Sequence, residues 1–285
     1  MIDYNEVYMS SINQVHSCQL QILKDVTRVC DDNNIDYMLA CGSLIGAIRH
    51  HGFIPWDDDI DLYMTTENYK KFLKIGQKCL GDNYFIQNWR SEKKFSELWT
   101  QVRLNNTTSM PKKLINWDIH FGIHIDIFPV VGIPNESELA KRQNLYITIS
   151  KSLLAADYMR ATGQKSMGKQ KYINFLPRVL RRFFVSLLEK QYLISPKNKK
   201  KCAELWISLR KPLKSEWFYS FINVEFEGSF FKTTKNYDDY LSLVYGDYMT
   251  PPPETERSGH AGTIGEIIRD VNKDYKEYKK YIVKN

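Results

Sequence analysis

The sequence predicts an α/β fold of the α+β kind: a mixed sheet flanked by helices, followed by a mainly helical C-terminal part. Three observations predict it. Gly122-Ile123-His124-Ile125-Asp126-Ile127-Phe128-Pro129 alternates apolar and polar residues with a period of two, the pattern of a strand. Residues 6 to 33 carry Ile12, Val15, Leu20, Ile22, Leu23, Val26 and Val29 at helical spacing, ended by Asp31-Asp32-Asn33-Asn34. From Asn135 onward the pattern turns helical, over residues 135–162, 170–193 and 197–210. A chain of 285 residues, 43% hydrophobic and 26% charged, can bury a sizeable interior. The expected division is an α/β core over residues 1–134 and a helical, basic region over 135–285.

The remaining elements follow in order. MIDYNEVYMS has neither a basic nor an apolar leader region, and no run of 18 apolar residues occurs anywhere. Five cysteines (18, 30, 41, 79, 202) lack any C-x-x-C spacing, which points to reduced thiols in a cytoplasmic protein and away from a zinc site. Tyr37 to Cys41 reads as a short buried strand, Gly42-Ser43 breaks it, and Leu44 to His50 has helical spacing. Gly52 and Pro55 then precede a strand, Trp56 to Leu62. Thr65-Thr66-Glu67 caps a helix bearing Tyr69, Phe72, Leu73 and Leu80. Strands are expected at Tyr84 to Trp89 and Leu98 to Leu104, and a hairpin in Trp217 to Phe231 turning near Gly228-Ser229. Tyr237 to Tyr245 reads as a helix stopped by Gly246, and Thr263 to Lys284 as a charged surface helix.

The chemistry sits in two of these stretches. In Trp56-Asp57-Asp58-Asp59-Ile60-Asp61-Leu62 the alternation sends Asp59 and Asp61 to one face and Ile60 and Leu62 into the core. Two carboxylates about 7 Å apart on one face repel each other unless a cation lies between them. Mg²⁺ or Mn²⁺ suits such oxygen ligands, whereas an EF-hand lacks its Gly and distant Glu here. Acidic clusters are more often solvated loops, but this pair lies on a predicted strand, 16 residues (59 − 43) beyond a Gly-Ser turn. That turn, Gly42-Ser43, offers helix N–H groups and a hydroxyl to phosphate oxygens. Asp126, alone among apolar neighbours, is costly to bury without a partner, and coordination would supply one. Asp59, Asp61 and Asp126 are therefore the candidate catalytic residues and metal ligands. His16, Cys18 and His124 read as structural, and Arg103 is balanced between a phosphate fork and a surface ion pair. Lys165 to Lys201 holds eleven Lys or Arg against Glu189, interleaved with Phe and Leu. It reads as a basic amphipathic helix: a solvated face, a peripheral contact with anionic membrane or, least favoured, a nucleic-acid surface.

The string Gly42-Ser43 to Leu62, GSLIGAIRHHGFIPWDDDIDL, resembles the LicD family of phosphocholine transferases, within the nucleotidyltransferase-fold superfamily and related to the fukutin-type ribitol-phosphate transferases. Two further blocks match: Gly122 to Pro129, and Tyr245-Gly246-Asp247-Tyr248-Met249 with Pro251 to Pro253 and Arg257. His51 departs from the family's usual Lys, and Ser43 from its Thr. The resemblance implies a nucleotidyltransferase-like core that takes CDP-choline or a related CDP-alcohol, with Mg²⁺ or Mn²⁺ as cofactor. Phosphocholine would pass to a hydroxyl of a cell-surface glycan precursor (teichoic acid, capsule or lipopolysaccharide), releasing CMP. Gly42, Ser43, Arg49, Arg103 and Arg257 are the substrate-binding candidates. The acceptor is expected to be lipid-linked, at the inner membrane face, with no nucleic acid partner. Transfer of glycerol- or ribitol-phosphate, nucleotidyl transfer from an NTP, and a catalytically dead binding protein are the alternatives. A choline cage could draw on Trp56, Trp89, Trp99 or Trp117. The acceptor sugar, the oligomeric state and the roles of Asp247 and His260 stay open at this stage.

Overall fold

The alternating stretch becomes the central strand of a mixed sheet. The computed structural model describes residues 10–164, 170–205, 211–257 and 266–280. His260, Lys165 and Lys169 lie outside them. The core sheet takes strands β1 (Met38–Leu39), β2 (Asp61–Thr65), β3 (Tyr84–Gln87), β4 (Thr100–Leu104), β6 (His124–Ile133), β7 (Lys201–Glu204) and β8 (Leu213–Lys214). The order is β1-β2-β6-β4-β3, with β7 on β6 and β8 on β7. β2 runs parallel to β6, whereas β4 and β7 pair with β6 antiparallel.

Two helices cover one face. α1 (Ile12–Asp32) opens with a capping box, Ser11 and Gln14 each satisfying the other's backbone N–H. Its Ile22, Leu23 and Val26 share a core with Phe72 of α3 (Thr66–Leu80) and with Ile123, Ile125 and Ile127. Since strand side chains alternate, burying the three isoleucines turns His124, Asp126 and Phe128 to the opposite face. That face carries the site.

The other side is closed by elements from later in the chain. α4 (Ser137–Thr162) packs on α6 (Arg178–Tyr192), and α5 (Gln170–Phe175) lies between them in sequence. β5 (Thr108–Pro111) and β11 (Ile267–Asp270) form a two-stranded ribbon, against which α8 (Tyr275–Lys280) rests. A second ribbon, β9 (Phe221–Phe226) with β10 (Ser229–Thr234), turns through Glu227 and Gly228, both at positive φ. It lies against α2 (Cys41–His50), and α7 (Tyr237–Tyr245) ends at Gly246, φ 74°.

Four expectations need correction. Residues 201–204, expected helical, form β7, because Cys202 and Ala203 bury themselves opposite Gly132 and Val131 of β6. Lys, Ala and Glu favour a helix, but a free sheet edge wins. The expected helix over 263–284 is instead β11, a turn and the short α8 among its described residues. The second strand begins at Asp61, so Asp59 sits in the loop leading into it. Cys41 belongs to α2 and not to the strand before it.

Candidate active site

Strand register brings two of the carboxylates together. Asp61 stands opposite Asp126 across the parallel β2–β6 pair, and the Asp126 N–H donates to Ile60 O at 2.8 Å. Partners in register project to the same face. Asp59 approaches from the preceding loop, and carboxylate oxygens of Asp59, Asp61 and Asp126 lie within 4.8 Å of one another. Asp61 is 8% exposed and Asp126 9%. Burial, reinforced by Asp59, Asp126 and Asp57, holds the Asp61 carboxyl well above the ordinary range. Among the described residues, this all-oxygen, mutually repelling set could hold a hard divalent cation, which would relieve the repulsion.

Neighbours fix these groups. Trp99 Nε1 donates to Asp126 Oδ1 at 3.0 Å, and the indole lies 5.2 Å from the Phe128 ring. His124 stands between Arg103 and Asp126, with Nδ1 3.3 Å from Arg103 Nη1 and Nε2 3.9 Å from Asp126 Oδ2. The acidic loop is gripped through its backbone: His16 Nε2 meets Asp57 O at 2.7 Å, and Gln19 Nε2 donates to Asp58 O at 2.7 Å. The Asp58 carboxylate pairs with Arg269 of β11. His16 is thus a support for the loop.

The Gly-Ser turn has a division of labour that spacing alone does not reveal. Cys41 begins α2 in the left-handed region, φ 50°, with its N–H donating to the Tyr240 hydroxyl at 3.2 Å. A Cβ on Gly42 would lie 2.4 Å from Asp57 Oδ2, so glycine lets that carboxylate stand over the helix N-terminus. Ser43 is 4% exposed, and its Oγ accepts the Asp61 N–H at 2.8 Å. Its oxygen therefore anchors the start of β2. Ser43→Ala is expected to cost about 1–3 kcal/mol of unfolding free energy by orphaning that N–H. Urea unfolding checks this, and an unchanged midpoint would show that Asp61 finds another acceptor.

A cavity of about 690 Å³ opens over the three carboxylates. Asp57, Asp58, Asp59, Asp61 and Asp126 line one part of it, and Pro111, Leu114, Trp117, Phe121 and Ile267 another. Of the substrate-binding candidates, Gly42 and Arg103 are on its wall, and Ser43, Arg49 and Arg257 are not. The Arg103 guanidinium donates to Gly122 O at 2.6 Å and to the side-chain oxygens of Gln87 and Gln101. Burial pulls its pKa down to about 10, against the pull of Asp126. Arg49 donates to Tyr248 O at 2.7 Å, and Arg257 lies 4.9 Å over the Trp56 ring.

Among the tryptophans considered for a cage, Trp99 and Trp117 line the cavity. Trp89 instead donates to Glu189 at 3.2 Å and carries Arg90 on its ring. The wall residues that the sequence reading does not single out include Glu97, Glu204, Lys113 and Tyr158. Burial raises the Glu97 carboxyl, with the Ser96 hydroxyl opposing. Glu204 lies on the unforeseen β7, and no residue pattern near Glu97 or Lys113 signals a site. Asp247 is tied to Thr250, whose hydroxyl donates to it at 2.7 Å.

Comparison with known proteins gives this geometry a context. Residues 34–153 match the LicD/FKTN/FKRP nucleotidyltransferase domain. The chain is 29% identical over 262 residues to the lipopolysaccharide cholinephosphotransferase LicD of Haemophilus influenzae, covering 85% of this chain and 92% of that one. It is 27% identical over 150 residues to the human ribitol 5-phosphate transferase FKRP, covering 45% of this chain and 30% of that one.

Proposed function

Because residues 34–153 are a LicD-type nucleotidyltransferase domain, we propose that the protein is a transferase that moves phosphocholine from CDP-choline to a hydroxyl of a cell-surface glycan precursor. The acceptor would be a lipid-linked unit of teichoic acid, capsule or lipopolysaccharide, and CMP would be released. The observation that carries this reading is the meeting of Asp59, Asp61 and Asp126 inside one cavity. Both named relatives move a phospho-alcohol, which favours that chemistry over nucleotidyl transfer.

In this reading Asp59, Asp61 and Asp126 hold Mg²⁺. Bound there, it would neutralise the donor's diphosphate and lower the pKa of a nearby hydroxyl. The chain's own groups do the rest. Asp126, with one oxygen held by the Trp99 indole, accepts the proton of the acceptor hydroxyl as its oxygen attacks the phosphorus bearing choline. The bond from that phosphorus to the CMP oxygen breaks, and CMP leaves with the electron pair. Arg103, Lys113 and the N-terminal turn at Gly42 supply positive potential along the phosphates, while Arg49 and Arg257 take up phosphate reaching past Trp56. Ser43 keeps Asp61 in register. Trp99, Trp117, Phe95 and Tyr158 give a quaternary ammonium aromatic faces, and Glu97 gives it a carboxylate on the cavity wall. The buried Trp117 Nε1 meets no acceptor among the described residues, and a ligand oxygen would supply one.

The test is a panel of CDP-alcohols with Mg²⁺ and candidate glycans. CDP-choline is expected to give CMP faster than CDP-glycerol or CDP-ribitol. A preference for CDP-ribitol or CDP-glycerol would reassign the headgroup. Pyrophosphate from an NTP, with no CMP from any CDP-alcohol, would replace the reading by nucleotidyl transfer.

A further inference from the structure

One helix turns its apolar side chains outward. α6 buries Arg181, Val185, Glu189 and Tyr192 against the rest of the chain. On its outer side Val179, Phe183 and Leu187 recur at four-residue intervals beside Leu180 and Phe184, and all five are exposed. The stripe extends into α5, where Phe175 is 86% exposed and Tyr172 65%. Exposed apolar surface of this extent marks a contact with something apolar.

Charge identifies the occupant. Residues three or four apart on a helix are surface neighbours, so exposed Lys171 adjoins Phe175 at one end of the stripe and exposed Lys190 adjoins Leu187 at the other. The only acid between residues 170 and 201 is Glu189, which is buried and paired with Arg90. Asp157 of α4 is likewise consumed, by Arg178 and Arg181. A second copy docking on this face would set lysine against lysine with no exposed acid on α5 or α6 to separate them. An anionic bilayer answers both features, taking phenyl and leucyl groups among its acyl chains and lysine heads at its phosphates.

We propose that the outer face of α5–α6 is an interfacial membrane-docking surface selective for anionic phospholipid. No helix among the described residues is long and apolar enough to cross a membrane, so the contact lies in the plane of the interface. Its position outside the cavity lets the enzyme meet a lipid-linked acceptor without blocking the site.

The test needs no substrate, so its outcome is independent of the transfer reaction. The full chain is mixed with sedimenting vesicles of phosphatidylglycerol and phosphatidylcholine in equal amounts, or of phosphatidylcholine alone. Binding is expected to the first at least about tenfold more strongly than to the second, and to weaken in high salt. Phe175→Ser with Phe183→Ser, and separately Lys171→Glu with Lys190→Glu, should each reduce it about tenfold or more with unchanged thermal melting. Equal binding to both vesicle types, no binding, or full binding by the Phe variants overturns the proposal. Sedimentation equilibrium without vesicles covers the rival occupant: a dimer dissolved by the same Phe substitutions would assign the face to a second copy.

Discussion

Asp126→Asn is expected to abolish transfer and to stabilise the metal-free protein. The carboxylate both completes the candidate cation set and faces the reacting hydroxyl in the proposed chemistry. Losing ~4 kcal/mol of transition-state stabilisation lowers the rate about a thousandfold. Stability moves the other way, because Asp126 presses a negative charge on buried Asp61. Removing it should raise the melting temperature by about 3 °C in chelator. Burial of Asp61, with this repulsion added to it, sets a pH dependence. Folding raises the Asp61 pKa above its ordinary 3.8, so this group favours the folded state fully below 3.8. That contribution is lost as pH climbs through the raised value. Melting in chelator from acid to neutral pH should therefore show a decline that Asp126→Asn flattens and that Mg²⁺ removes from the wild type. A variant that is inactive because it melts far below the wild type would instead make Asp126 a structural residue.

Asp157→Asn should be the most damaging polar substitution for stability in the α4–α6 unit. Arg181 is 1% exposed, and its guanidinium donates to Leu153 O, Leu176 O and Asp157 Oδ1. Arg178 adds two hydrogen bonds to the same carboxylate, at 2.9 and 3.1 Å. Burial pushes the Asp157 carboxyl up, but the two arginines outweigh it and hold its pKa below 3.8. Its stabilisation is thus present above 3.8 and lost as pH falls through the depressed value. Removing its charge leaves a buried guanidinium uncompensated, a loss of about 3–5 kcal/mol or ~10 °C in melting temperature. Asp157→Leu combined with Arg181→Met should recover much of that loss, since an apolar pair of similar volume avoids the desolvation cost. If Asp157→Asn melts with the wild type, the ion pair is not formed in solution.

How much of this was legible in the sequence depends on whether the signal was local. The β6 alternation is local, and it fixes which face Asp126 takes before any partner is known. The glycine at 42 and the DDDID run are local too, so the three carboxylates could be named in advance. What placed them together is the parallel pairing of Asp61 with Asp126, a contact across more than sixty residues in which the flanking patterns merely agree. Ser43 carries a role that spacing does not show: a hydroxyl beside a glycine suggests phosphate, and its oxygen also accepts the Asp61 N–H. Arg103 looked available from its strand, but three acceptors and burial hold it in place. β7 was invisible because its residues favour a helix and only the open edge of β6 makes them a strand, and Glu204 was hidden with it. The exposed stripe of α6 lies between. Its composition showed a basic amphipathic helix, but only packing reveals that the inward face is Arg181, Val185 and Glu189 and that the phenylalanines look outward.

The most direct measurement is anomalous diffraction from crystals soaked with Mn²⁺ and CDP-choline. A manganese peak within bonding distance of Asp59, Asp61 and Asp126, with the diphosphate on its open side, is the predicted result. A donor bound in the cavity with no metal peak at these carboxylates, or a peak held by other residues, would contradict it.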